Sequence, residues 1–170
     1  RYWLFYALTL MGGARRQIFV AFAVFLLVEK FEYTVQGVTV LFIANNIINY
    51  YLSPLIGKAI NRFGERAVLS LEYGSLILIF LGYALTDSWL VAGALYILDH
   101  IFFNFAIAIR TFFQKIADPR DIAPSMAVGF TINHIAAVVI PVLGGLAWGT
   151  SYKWVFVGGA AMAMVSLVLT

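Results

Sequence analysis

Six long apolar stretches, separated by short gaps in which most of the charged residues collect, account for the whole chain. They run from about 2 to 28, 35 to 60, 67 to 85, 88 to 116, 125 to 148 and 154 to 170. A helix rises about 1.5 Å per residue, so about 20 apolar residues cross the hydrocarbon core of a bilayer. Barrel strands would instead alternate polar and apolar positions, which these runs do not. The pattern predicts an all-α polytopic membrane protein with six transmembrane helices. Gly12, Gly13, Ala14, Arg15, Arg16 and Gln17 interrupt the first run, which is still long enough for one tilted span. Ser88 reads as the N-cap of the fourth helix. Ala117 to Pro124 holds two prolines, each disfavouring helix at the residue before it, and reads as a loop.

Composition narrows the class. The 170 residues are 63% hydrophobic and only 11% charged, with a mean hydropathy of +0.94, outside the range of soluble domains. There is no cysteine, hence no disulfide and no thiolate metal site. The two histidines are far apart, and neither a nucleotide-binding loop nor a nucleophile with its base is present, so no enzyme, metal or cofactor is expected. The net charge of +3 follows the loops and forms no block suited to nucleic acid.

Lys and Arg are unequally shared between the two sides. Seven (Arg1, Lys58, Arg62, Arg66, Arg110, Lys115 and Arg120) fall on one side and two (Lys30 and Lys153) on the other, with Arg15 and Arg16 inside a span. The positive-inside rule makes the first side cytoplasmic, and both chain ends with it. The expected location is the plasma (inner) membrane of a bacterium. The first residue is Arg rather than Met, and the chain reads as a piece of a longer one.

The most basic gap, Gly57 to Arg66, carries a spacing of its own. Gly57, Arg62, Gly64 and Arg66 match the loop signature of the major facilitator superfamily, with Asn61 where the signature has an acid. Ala117 to Ala127 resembles that family's link between the fourth and fifth helices of a half. Ile140 to Gly145 resembles the Pro-Gly packing element that follows, and Tyr152 to Phe156 the approach to the last helix. The whole chain thus resembles one six-helix half of the twelve-helix fold, the C-terminal half. The resemblance implies two inverted three-helix repeats, with the first helix of each lining a central cavity. It also implies a secondary active transporter, symporter or antiporter, completed by an N-terminal six-helix half in the same chain or as a partner.

The residues themselves point the same way. The first and fourth runs carry Arg15, Arg16, Asp99 and His100 at midspan, where a charge is costly unless it faces a cavity or a partner. Arg15 and Arg16 point about 100° apart on a helix, so they cannot both aim at one ligand. They read either as an anion site or as an ion pair with Asp99 or with an acid of the other half. Asp99 and His100 are the candidates for proton coupling, or else a hydrogen-bonded packing pair. Asn104 shares a face with His100; Asn45 and Asn49 share a face of the second helix, as substrate contacts or as interhelical glue. Asn133 and His134, midway along the fifth run, invite the same comparison.

Glu72 is placed within reach of Arg66 or Arg110, in a gate or structural pair, and Gly57, Asn61, Arg62, Gly64 and Arg66 form the motif loop. Gly57 would let two helices approach, as would Gly145 and Gly149. The third and sixth runs, nearly free of polar groups, would face lipid or provide support. The expected solute is small, anionic or amphipathic, moved by alternating access with proton coupling. A second reading is a non-transporting accessory subunit that uses the same fold to dock on a larger membrane complex.

Overall fold

The computed structural model describes residues 2–170, with Ala106 as backbone only; Arg1, counted above with the basic end, lies outside them. Six helices follow one another: α1 Trp3–Glu29, α2 Val35–Phe63, α3 Glu65–Leu85, α4 Trp89–Ile116, α5 Pro119–Thr150 and α6 Tyr152–Leu169. All six are long and apolar enough to cross a membrane. Each keeps its backbone hydrogen bonds within itself, as a chain in hydrocarbon must.

The helices overrun the gaps expected between them. The α2–α3 connection is Gly64 alone, at φ 83° and ψ 161°, so most of the basic stretch from Gly57 is helical. That backbone region is open essentially only to glycine. Gly64→Ala is therefore expected to cost about 1–3 kcal/mol in unfolding free energy, measured by denaturant titration of the protein in mixed micelles.

The loop expected over Ala117 to Pro124 shrinks to two residues. Pro119 takes the first helical position of α5, where a missing N–H is not felt, and the Asp118 carboxylate caps the N–H of Arg120 at 3.0 Å. Pro124 lies inside the helix, where its ring leaves free only a carbonyl near the exposed end. Thr34 caps α2 and Ser151 caps α6, whereas Ser88 occupies the cap of α4 without a side-chain bond.

α3 packs along α6, α1 crosses α5, and α4 lies against both α3 and α2. Half of the central window of α3 is buried, against 11% for α2 and for α5. The third helix is thus support rather than a lipid-facing surface, because its apolar side chains fill the bundle while those of α2 and α5 point away from it. Two hydrophobic cores result. One, toward the Glu29 end, gathers Phe22, Leu26, Phe80, Tyr83, Tyr96 and Phe156. The other, toward the Trp3 end, gathers Phe5, Leu8, Ile60, Leu69, Tyr73 and Phe113.

Each end is tied by polar contacts. At the Glu29 end, Lys30 Nζ donates to the Thr86 carbonyl at 3.0 Å and to Asp87 Oδ1 at 3.1 Å, and also meets the Tyr152 hydroxyl, joining three connections. Partial burial alone would lower the Lys30 pKa, but Tyr152 and Asp87 outweigh it and the pKa is raised. At the other end, the Tyr2 hydroxyl donates to Asp121 Oδ2 at 2.8 Å, and Lys115 pairs with Glu65 at 2.6 Å.

Small residues set the α1–α5 crossing. A Cβ at Gly13 would strike the Asn133 amide and one at Gly144 the Phe22 ring, while Gly129 sits on Phe5 and Thr9. Gly57, Gly145 and Gly149, expected at close helix contacts, have open space where a Cβ would be. The glycines that bring these helices together are others.

Candidate functional site: a buried charge cluster beside an open cavity

Between the two apolar cores lies a polar layer. Arg15 of α1 is 2% exposed and Glu72 of α3 and Asp99 of α4 are 1% exposed each, so three charge-bearing side chains are enclosed in the bundle. Arg15 Nη1 stands 4.0 Å from Glu72 Oε1, its guanidinium lies over the Tyr73 ring at 4.7 Å, and its Nε donates to the Met11 carbonyl at 3.2 Å. Asp99 is buried on α4 with the Tyr83 and Tyr96 phenols around it and feels the charge of Arg15. The arrangement is short of hydrogen bonds. Glu72 Oε2 and the Tyr96 hydroxyl have no hydrogen-bond partner, whereas the Tyr83 hydroxyl faces Asp99 and the Tyr73 hydroxyl faces Arg15.

The expected partners of Glu72, Arg66 and Arg110, are not its neighbours. Glu72 lies two turns inside α3, on the same buried face as Val68, Tyr73 and Leu76. Only a cation inside the bundle reaches that face, whereas Arg66 and Arg110 are exposed. The motif loop does have a carboxylate ion pair, but Glu65 supplies it, to Lys115. Asn61, Arg62 and Arg66 are exposed, with the Arg62 guanidinium over Phe63 at 5.3 Å.

Arg16 turns away from this cluster. It is exposed within a cavity of about 390 Å³ that opens between α1, α2, α4 and α5, in the half of the bundle nearer the Trp3 and Ile116 ends. Its guanidinium lies 5.6 Å from the Phe103 ring. Arg110 and the amides of Asn104 and Asn133 share the wall with it, Ser53 and Thr9 add hydroxyls, and the remainder is apolar. A cavity of this volume, mostly apolar with a few polar groups, suits a small organic solute. Guanidinium groups cannot lose their charge there and bind carboxylate or phosphate in bidentate fashion.

No protein-family model, curated protein or solved structure matches this chain. What the site can do therefore rests on its own geometry.

Of the residues singled out in the sequence, Arg16 and Asn104 meet at the cavity. Arg15 pairs with Glu72 behind it, and Asp99 is buried beside Tyr83 and Tyr96. His100 is half-buried and does not line the cavity, with Nε2 enclosed and unpartnered, its ring 5.7 Å from Phe19 and its carbonyl accepting from Asn104 Nδ2 at 3.0 Å. Asn45 is buried with both amide atoms unpartnered, and Asn49 accepts from Ser53 Oγ at 2.8 Å through its carbonyl; neither lines the cavity. His134 is exposed and satisfied locally, its Nδ1 on the Phe130 carbonyl at 2.9 Å.

Arg110 was not expected as a site residue, and the role of Asn133 was left open. Arg110 reads as one more positive charge near a basic end, and Asn133 as either a substrate contact or glue. Only the approach of α4 to α1 and of α5 to α1 turns them inward. One further feature joins the two spans with midspan charges. α1 changes to a π-helix over Ile18–Ala23, just after Arg15 and Arg16, and α4 tightens to a 3₁₀ turn over Asn104–Ala106, just after Asp99 and His100. Such departures inside long helices are frequent at functional sites.

Proposed function

We propose that the chain is the C-terminal six-helix half of a major facilitator transporter, and that it moves a small amphipathic anion by alternating access. The observation that carries this reading is the cavity. Four helices contribute Arg16, Arg110, Asn104, Asn133 and Ser53 to one concave apolar wall. Arg16 and Arg110 supply charge for an acidic group, the amides orient it, and Phe5, Phe103 and Phe130 take the apolar body. The exposed lengths of α2 and α5 flank the cavity, where an N-terminal six-helix half would complete it. In this reading the basic end faces the cytoplasm of a bacterium, and Arg62 and Arg66 with the Glu65–Lys115 pair govern opening of that end.

The test is binding and flux of amphipathic carboxylates by the intact protein in nanodiscs and in liposomes. Arg16→Gln is expected to weaken binding by about 10- to 100-fold, the worth of a charge-assisted hydrogen bond in a partly desolvated site. Arg62→Gln, outside the cavity, should leave affinity unchanged. Equal affinity in Arg16→Gln would remove the anion site. Tight binding without flux would favour the accessory-subunit reading.

A further inference from the structure

We propose that the cavity takes a dianion with its two acidic groups at opposite ends of an apolar spacer, an α,ω-dicarboxylate, Arg16 holding one end and Arg110 the other. This rests on the anion reading of the cavity and names the class of solute within it.

The cavity wall carries two positive charges and no negative one. Arg16 and Arg110 line it, and its other polar side chains are the neutral amides of Asn104 and Asn133 and the hydroxyls of Ser53 and Thr9. A guanidinium does not lose its proton, so both charges persist at any physiological pH. Arg16 has the Phe103 ring 5.6 Å away, which attracts a cation without neutralising it.

The protein's own acids do not make up the difference. Among the described residues the ion pairs are Arg15 with Glu72, Lys30 with Asp87 and Lys115 with Glu65, so neither cavity arginine is matched by a carboxylate. Glu72 and Asp99 are enclosed in the bundle, and neither lines the cavity. At the basic end Asp121 accepts from the Tyr2 hydroxyl and Asp118 from the Arg120 N–H. A charge within a membrane-spanning segment is costly unless something compensates it. A solute with one negative charge would match one arginine and leave the other as it is. A dianion matches both.

The placing of the two arginines indicates how far apart the solute carries its charges. Phe103, Ile107 and Arg110 of α4 all line the cavity. Seven residues of helix rise about 10 Å, two turns. Arg16, beside Phe103, thus stands at one end of this strip, and Arg110 at the other, nearer the Ile116 end of α4. Between them the α4 wall is Ile107, and α1 and α2 add Leu8 and Ile56 to the apolar lining. The order along the wall is cation, hydrocarbon, cation. Carboxylates joined by a methylene chain present the complementary order, and each can accept two parallel hydrogen bonds from its guanidinium. A compact dianion such as a phosphate monoester would concentrate both charges at one end and leave the other arginine unmatched.

The experiment is equilibrium binding to the intact protein in nanodiscs at mildly alkaline pH, where both carboxyls of a diacid are ionised. The probes are α,ω-alkanedicarboxylates of increasing length, the monomethyl ester of each, and an alkyl phosphate as the compact dianion. A medium-chain diacid is expected to bind about 10- to 100-fold more tightly than its own monoester, the worth of one further charge-assisted hydrogen bond. Affinity should pass through a maximum as the chain lengthens, because short chains fail to span the two guanidiniums and long ones must buckle. Arg110→Gln is expected to lose most of the preference for diacid over monoester, and Arg110→Lys, which keeps the charge, to retain it.

The comparison of diacid with monoester in wild type needs no variant, so it holds even where a variant folds poorly. Equal binding of the two would overturn the second charge and leave the anion site standing. Failure of every carboxylate to bind would instead remove the anion site, and this proposal with it. Tighter binding of the alkyl phosphate than of any diacid would overturn the two-ended placement. A diacid preference that survives Arg110→Gln would overturn the role of Arg110.

Discussion

Arg15→Met is expected to destabilise the protein by about 3–5 kcal/mol, the loss seen when one partner is removed from a buried ion pair. Methionine keeps the unbranched apolar stem and removes only the guanidinium, so most of the loss reports charge rather than volume. Glu72 and Asp99 would remain enclosed with no cation, and both would have to be neutralised or solvated within the bundle. The companion variant carrying Arg15→Met, Glu72→Gln and Asp99→Asn together is expected to recover most of the loss, because a buried charge cluster replaced as a whole costs little. Arg16→Met is the comparison. Its side chain is exposed in the cavity, and its change should move stability by less than about 1 kcal/mol while weakening anion binding. Denaturant unfolding of the three variants in mixed micelles checks these values. Arg15 and Arg16 behaving alike would contradict the division of labour between them.

The second large effect is expected in α6. Phe156 is fully buried, with its ring 5.0 Å from Tyr83 and 6.1 Å from Trp148. Phe156→Ala should cost about 3–5 kcal/mol, from lost contacts and the cavity left behind. Val168→Ala, on the same helix but 81% exposed, should cost a small fraction of that. Equal and small losses at both positions would mean that α6 is a lipid-facing helix after all. The contrast matters because the sequence of α6 is apolar on every side and does not distinguish a face against α3 from a face against lipid.

Much of the architecture was legible from hydropathy. A spanning helix has to be apolar over its whole length and its connections polar, so six runs yield six helices with little ambiguity. Boundaries were less legible. The Pro119 and Pro124 pair suggests a loop, but the first turn of a helix tolerates the missing N–H, and the Asp118 cap fixes its start. The motif stretch reads as a turn of ten residues, although only Gly64 leaves the helical conformation between α2 and α3.

The site was legible by type and not by partner. A charge at midspan in α1 and α4 demands compensation, and that much follows from the solvent alone. Which group compensates depends on how the helices are rotated about their axes, and an apolar helix in lipid carries little amphipathic signal to reveal its rotation. Glu72 shows the consequence. Its distance along the chain from Arg66 suggests a pair near the helix end, yet its face of α3 turns toward α1 and meets Arg15.

The chain by itself therefore determined the number of spans, the unequal charge of the two ends and the presence of two adjacent midspan arginines that cannot share a target. Tertiary structure decided the rest. Close crossing of α1 and α5 at Gly13, Gly129 and Gly144 sends one arginine to the buried acids and the other to the cavity. The reason is geometric: helix periodicity sets the angle between neighbouring side chains, while only packing sets where that angle points.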